Sequence, residues 1–367
     1  MRRVIKGNIY TKQFDFAYGE LAIDSGRVCE INFLGAEKKD EVYIIPGLVD
    51  IHMHGAMGID VCSASVDELK SIAEYEKKNG ITSFCPTTMT LKESDLYNIC
   101  KQIGSLNIEQ IVGINLEGPF ISKDKCGAQN KDNVLNANNG KMVSLINKLQ
   151  EASNGMIKLV TVAPEESGVI DGIKELKNKV HVSLGHTVAD YDVCMQAFDA
   201  GADHVTHLYN AMSYVNHREP GLLGAAMMDD KVFVEIICDG EHIHPSIVKS
   251  TFKTIGEDRI VLISDSIEAT GCENGNYMLG DLQVVKNGNK AVLLSDATVL
   301  AGSVSNLYDC LKTAVTKMSI PFALALRAST YNPAKSIGLD NEIGLIDVGR
   351  KANILIVDNE LNICEVL

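Results

Sequence analysis

No Cys-x-x-Cys pair occurs among the ten cysteines of this 367-residue chain, so the sequence specifies neither a structural zinc module nor a dithiol redox motif. The cysteines are scattered, as expected for reduced thiols in a cytoplasmic protein. Positive charge is scarce: 34 lysines and arginines face 48 aspartates and glutamates, a formal net charge of −14. A field of that sign repels phosphates in bulk, which argues against nucleic acid or an anionic membrane as the main partner. Any phosphate-bearing ligand then needs a local cationic pocket. No apolar run approaches the roughly 20 residues of a membrane-spanning helix, and the basic opening MRRVIKGNIYTKQFDF has no long apolar segment behind it. Fixed-period repeats, low-complexity tracts and long linkers are also missing. The remaining composition, 46% hydrophobic, is that of a soluble, enzyme-sized protein, long enough for one large α/β barrel and an accessory piece.

Eight short apolar runs rich in β-branched residues lie between residues 42 and 265, at 42–51, 81–88, 111–117, 156–164, 179–186, 204–210, 232–240 and 260–265. Amphipathic segments of helical length separate most of them, for example 67–80, 93–106 and 245–256, often opened by a capping residue and closed by glycine. Eight strand-helix units predict a closed (β/α)8 barrel over 46–341 rather than an open sheet. Two further helices are predicted within 303–319 and 323–338. The ends, 1–45 and 342–367, hold short strand-like pieces such as IDSGRVCEI and ANILIVD and no helix. They are predicted to pair into a small β-sandwich domain formed from both chain termini.

In such a barrel the carboxyl ends of the strands converge on one face. His52 and His54, Glu117, His186, His207 and Asp265 all fall at run ends. An isolated His-x-His such as PGLVDIHMHG is as a rule a pair of satisfied histidines near a turn. In an extended strand, however, positions i and i+2 share a side, so His52 and His54 are expected to face one spot. Four imidazoles and two carboxylates at the ends of five of the eight runs could hold one or two divalent cations. His181 and His204 sit at odd offsets from His186 and His207 and read as structural, His217 as a surface residue and His244 as a helix-entry residue before Pro245. Of the pair His242 and His244, His242 is the better site candidate.

The segments PGLVDIHMHG, NLEGPFIS, SLGHT, THLYNAM, REPGL, DGEH, SDSIEATG, LAGS and NPAKSIGL, in that order along the chain, resemble the N-acetylglucosamine-6-phosphate deacetylase family of the amidohydrolase superfamily. The resemblance implies that Glu117, His186 and His207 bind one metal, and that His52 and His54 form a second site with Glu117 as bridge and Asp265. Many superfamily relatives bridge two metals with a lysine at the end of strand four, where this chain has VTVAPE, so Glu117 takes that role. Zinc or iron comes first among the metals, manganese and cobalt also suiting these ligands.

Amide hydrolysis needs an activated water and a proton for a poor leaving group. The cation supplies the first, and Asp265 is the candidate to take the water's proton and pass it to the nitrogen. Backbone N–H groups of Asn210 and Ala211, the guanidinium of Arg218 and the ring of His242 are candidates for a phosphate pocket. By resemblance Arg218 reaches a neighbouring subunit's site, implying a homodimer, and Ala128, Gln129, Leu300, Ala301 and Gly302 lie near the sugar and acyl group. One departure stands out: Gln129 replaces a histidine usual in the family. It donates a neutral hydrogen bond but cannot become cationic, so the galactosamine epimer is an alternative substrate. A catalytically silent binding protein is a further alternative, from which lost ligands would be expected.

Overall fold

The computed structural model describes residues 2–367. Eight parallel strands form the barrel: β1 (Leu48–Met53), β2 (Ile81–Thr88), β3 (Ile114–Glu117), β4 (Ile157–Val162), β5 (His181–Leu184), β6 (His204–Val205), β7 (Phe233–Ile237) and β8 (Ile260–Ile263). Each pairs with its sequence neighbour, and β8 meets β1 through Asp265 N–H donating to the His52 carbonyl (3.0 Å) and His54 N–H to that of Ser266 (2.7 Å). The strands read as continuous apolar runs because both faces are covered. Alternate residues, among them Val49, Ile51, Leu159, Ile237, Val261 and Ile263, form one cluster with Ala334 and Ile337 of the C-terminal helical region. The residues between them, such as Leu116, Val160, Val182, Val234 and Leu262, pack with the surrounding helices.

The helix Val66–Lys78 shows the local logic. Ser65 and Glu68 form a capping box, Leu69, Ile72 and Ala73 bury one stripe, and Gly80 at φ 83° follows its end. Each such buried Leu or Ile contributes about 1.5–3 kcal/mol relative to exposure. Glu76, on the same stripe, is equally buried and neither of its oxygens has a hydrogen-bond partner.

Strands from both termini form a separate six-stranded sheet, in the order Ile363–Val366, Ile354–Val357, Tyr43–Pro46, Arg3–Tyr10, Phe16–Asp24, Arg27–Ala36. It curls around Ile5, Ile9, Leu21, Ile23, Ile44 and Ile354. Val28 N–H donates to the Arg350 carbonyl and Ala352 N–H to that of Gly26, tying the far hairpin back to the segment before Ile354.

Sequence reasoning missed one element and overran another. A four-stranded antiparallel meander, Gly275–Leu279, Leu282–Asn287, Lys290–Leu293 and Asp296–Ser303, is inserted between β8 and the helix Leu307–Thr316. Its strands are half-exposed, which weakens the apolar signal, yet the Asn287-Gly288 step between LQVVK and AVLL carries the hairpin signature. Conversely β6 holds only two residues of the expected 204–210 run, because the chain leaves the ladder at His207, whose φ is 28°.

A candidate metal centre at the mouth of the barrel

His52 lies in β1 and His54 just beyond it. Glu117 ends β3, and His186, His207 and Asp265 each stand two residues past the ends of β5, β6 and β8. Those last three have positive φ, 49°, 28° and 50°, a left-handed conformation that costs a side chain with a Cβ of order 1–3 kcal/mol and persists only where the surroundings impose it. The strain turns all three side chains off their strands into the mouth.

There they meet in two triads. Glu117 Oε1 lies 3.0 Å from His186 Nε2 and 2.9 Å from His207 Nε2, with the two nitrogens 3.1 Å apart. His52 Nε2 and His54 Nε2 are 3.3 Å apart, at 3.6 and 3.2 Å from Asp265 Oδ1. Glu117 stands between the triads, Oε1 being 3.5 Å from His52 Nε2 and Oε2 3.4 Å from His54 Nε2. All six side chains are buried. No lysine reaches this point from β4, whose end is Val162 and Ala163.

The hydrogen bonds behind the rings decide what the cluster can hold. His186 Nδ1 donates to the Lys125 carbonyl (2.8 Å) and His54 Nδ1 to that of Thr87 (3.1 Å). Carbonyls only accept, so both Nδ1 atoms carry the proton and each Nε2 of the neutral ring presents a lone pair. His52 Nδ1 likewise faces the Glu235 carboxylate at 3.0 Å. Lone pairs of His52, His54 and His186 and the carboxylate oxygens then converge, an arrangement that demands positive charge at its centre. Without a cation, protons on the imidazoles themselves supply that charge: they outweigh the burial that would push the carboxyls of Glu117 and Asp265 up, and hold both below the usual carboxylate range. Imidazole nitrogens and carboxylate oxygens are the donors divalent metals take. Ligands about 2.0–2.1 Å from a tetrahedral zinc stand about 3.3 Å apart, close to the spacings here. The donor set fits a divalent cation.

Above the triads opens a cavity of about 490 Å³, lined by His54, Glu117, His186, His207 and Asp265 at its floor and by Ala128, Gln129, Asn210, Ala211, His242, Leu300 and Gly302 on its walls. Ala301, between the last two, is fully buried. Gln129 is clamped: its Oε1 accepts from Thr90 N–H (2.7 Å) and its Nε2 donates to Glu117 Oε2. The glutamine is thus as much a partner of the metal-site carboxylate as a wall of the cavity. His242 Nδ1 pairs with Asp239 (2.7 Å); burial pulls the imidazole down, but the carboxylate outweighs it and raises the pKa, favouring a cationic ring. One expectation is corrected: the Asn210 N–H is spent on the His207 carbonyl (3.0 Å) and is not free for an anion. Arg218 is exposed on its loop and does not line the cavity of its own chain.

Glu235 and Asp239 were missed. A single acid inside the apolar stretch VFVEII was the available signal for Glu235, since a charge in a barrel strand is rarely there without a partner. The meander was missed with them, although its Gly280-Asp281 turn braces the site. Asp281 accepts from the side chains of Asn130 (3.3 Å) and Asn133 (3.1 Å), and Gly280 N–H donates to Asp60 (2.8 Å).

The sequence model of the amidohydrolase family matches residues 43–366. The chain is 34% identical to N-acetylglucosamine-6-phosphate deacetylase of Bacillus subtilis over 95% of this chain and 90% of that one. It is 30% identical to N-acetylgalactosamine-6-phosphate deacetylase of Escherichia coli O157:H7 over 90% and 87%. Among solved structures, a mutant of N-acetyl-D-glucosamine-6-phosphate deacetylase from Mycobacterium smegmatis, in complex with N-acetyl-D-glucosamine-6-phosphate, superposes with a TM-score of 0.93 at 30% identity, covering 100% of this chain and 97% of that one. The barrel, the ligands at its strand ends and these likenesses agree: the chain belongs to the amidohydrolase family.

Proposed function

We propose that the chain hydrolyses the acetamide of N-acetylglucosamine 6-phosphate, giving glucosamine 6-phosphate and acetate. One observation carries the reading: two triads of metal-type ligands, with Glu117 of one within 3.5 Å of both histidines of the other, stand on the floor of a cavity of about 490 Å³, in a chain 34% identical to a deacetylase of that name. Glu117, His186 and His207 would hold a divalent cation, with His52, His54 and Asp265 as a second set. Zinc or iron is favoured, manganese and cobalt being compatible with the same donors. When bound, the cation supplies the Lewis acidity that activates water at neutral pH and polarises an amide carbonyl.

Asp265 Oδ1, at the cavity floor, takes the proton of the attacking water and returns it to the departing amine. Gln129 and Thr90 hold Glu117 in place, and Leu300 and Gly302 close the wall over the sugar. On the phosphate side, His242, whose pKa the Asp239 carboxylate raises, offers a hydrogen bond and a site for positive charge in an acidic protein. Arg218 completes that pocket from a neighbouring copy in a homodimer. Its exposed position, on a loop that also exposes Tyr214 and Val215 at 89% and 55%, suits burial against another chain. Among the described residues no helix is long and apolar enough to cross a membrane, and we place the reaction in the cytoplasm.

The galactosamine epimer is the second reading, favoured by Gln129 and by the 30% identical relative named for that substrate. Acetate release from both epimeric 6-phosphates and from unphosphorylated N-acetylglucosamine tests all three points. The glucosamine 6-phosphate precursor is expected to give the highest kcat/KM; a higher value for the galactosamine ester would move the assignment to the epimer, and equal use of the unphosphorylated sugar would remove the phosphate pocket. Asp265→Asn is expected to lower kcat by about 10²–10⁴-fold with the thermal midpoint unchanged. Arg218→Ala should raise KM for the phosphorylated sugar alone.

A further inference from the structure

The centre of β7 carries a carboxylate in a place where a carboxylate is costly. Glu235 has no solvent exposure, and its neighbours along the strand, Val234 and Ile236, are fully buried apolar residues. An ion there needs a partner, and two groups serve. Glu235 Oε2 accepts from His52 Nδ1 at 3.0 Å and from the His207 backbone N–H at 3.2 Å. Its second oxygen, Oε1, has no hydrogen-bond partner.

Those two contacts reach one member of each triad. His54 and His186 rest on backbone carbonyls, so His52 is the ring of these three that a carboxylate holds. A charged acceptor keeps the proton on Nδ1, leaves the Nε2 lone pair facing His54 and Asp265, and makes the ring a stronger donor to a metal. His207 differs again: its Nδ1 is buried without a partner, so no hydrogen bond on that nitrogen orients the ring. Its backbone sits at φ 28°, and the N–H of that strained residue is what Glu235 grips.

We infer that Glu235 is a positioning residue of the metal centre, fixing the tautomer of His52 in one triad and the backbone of His207 in the other. The inference rests on the proposed cation-binding reading of the two triads. It separates from a merely structural role because Glu235→Gln keeps the size and one hydrogen-bond acceptor while removing the charge. Glu235→Met removes the acceptor as well.

The full-length chain, stripped of metal by a chelator, is titrated with cobalt(II) and followed by the visible absorption of the bound ion. Loss of an outer partner of a metal-ligating histidine weakens metal binding by about 10–100-fold. Glu235→Gln is expected near the lower end and Glu235→Met near the upper, in an order that melting temperatures of the metal-free proteins do not follow. Parental affinity in Glu235→Gln would overturn the inference. So that it does not depend on the variants folding, nitrogen-15 NMR of the parent loaded with diamagnetic zinc reads which His52 nitrogen keeps its proton. A protonated Nδ1 with Nε2 on the zinc supports the inference, and the reverse overturns it. A parent that takes up no cobalt would instead sink the cation-binding reading, a result distinguishable from either.

Discussion

Two clusters of histidine and carboxylate stand at opposite ends of the barrel, and only one of them is built to hold a cation. At the carboxyl ends of the strands the Nδ1 atoms of His52, His54 and His186 are spent on acceptors outside the cluster, and the Nε2 atoms converge. At the amino ends, where β5 and β6 begin, the pattern is inverted. His181 Nδ1 and His204 Nδ1 lie 2.6 and 2.7 Å from the two oxygens of Asp203, which clamps both rings. Three lysines, Lys158, Lys177 and Lys179, line the cleft beside His181 and repel a cation. Three ligand-type residues within reach of one another are therefore not a metal site in themselves. What matters is which ring nitrogen is already engaged, and whether positive charge is left wanting.

The largest test of this contrast is Glu117→Gln. It removes the carboxylate that stands between the two triads, and bound metal is expected to fall to background with turnover reduced by more than about 10³-fold, since the activated water depends on the cation. Metal content by elemental analysis beside acetate release reads it; full metal occupancy in that variant would break the comparison.

Glu76 is the instructive intermediate, an acid with neither clamp nor cation. Burial pushes its carboxyl well above the usual range, with Asp50 and Asp309 adding to the shift. Asp50 is itself pushed up to about 6 by burial. A carboxyl raised in the folded state costs nothing below its unfolded pKa of about 4.3 and destabilises the fold increasingly as pH rises above it. Glu76→Leu is accordingly expected to stabilise by about 1–3 kcal/mol at neutral pH, and by less near pH 4, as measured by denaturant unfolding at the two pH values.

The smallest effect is expected from Asp203→Asn. Burial pushes the Asp203 carboxyl up, but His204 and His181 outweigh it and hold it well below the usual range. Such a group contributes stability above its unfolded pKa of about 3.9 and loses it as pH falls toward the lower folded value. With the side chain 40% exposed, solvent screens the pairs, and removal should cost about 0.5–1.5 kcal/mol. Metal content and kcat should stay parental; a loss of metal would show that the base cluster is no mere clamp.

The positions of His52, His54, Glu117, His186, His207 and Asp265 were legible because polar residues terminating apolar runs stand out, and eight such runs imply a shared mouth. The division of labour within each ring was not, because it depends on Lys125, Thr87 and Glu235, which come near only through the fold. The same holds for Gln129, whose partners Thr90 and Glu117 lie 39 and 12 residues away. The Asn210 N–H illustrates a local failure: a loop after a strand suggests free donors, but the left-handed turn at His207 folds the chain back so that its own carbonyl takes the bond.

The meander bears on how such an enzyme diversifies. Its strands pair with one another, and its backbone joins the barrel edge through a bridge from Ser303 to Ser266. It nevertheless supplies Leu300 and Gly302 to the cavity and, through Asp281, tethers the loop that bears Gln129. Lengthening or reshaping its outer hairpins can thus remould the sugar-facing wall, while its last strand, whose Ser303 N–H donates to the Asp265 carbonyl (2.7 Å), stays tied to the floor. The wall that meets the sugar and the ligands that meet the cation are built from different segments, joined at Ser303 and at Gln129.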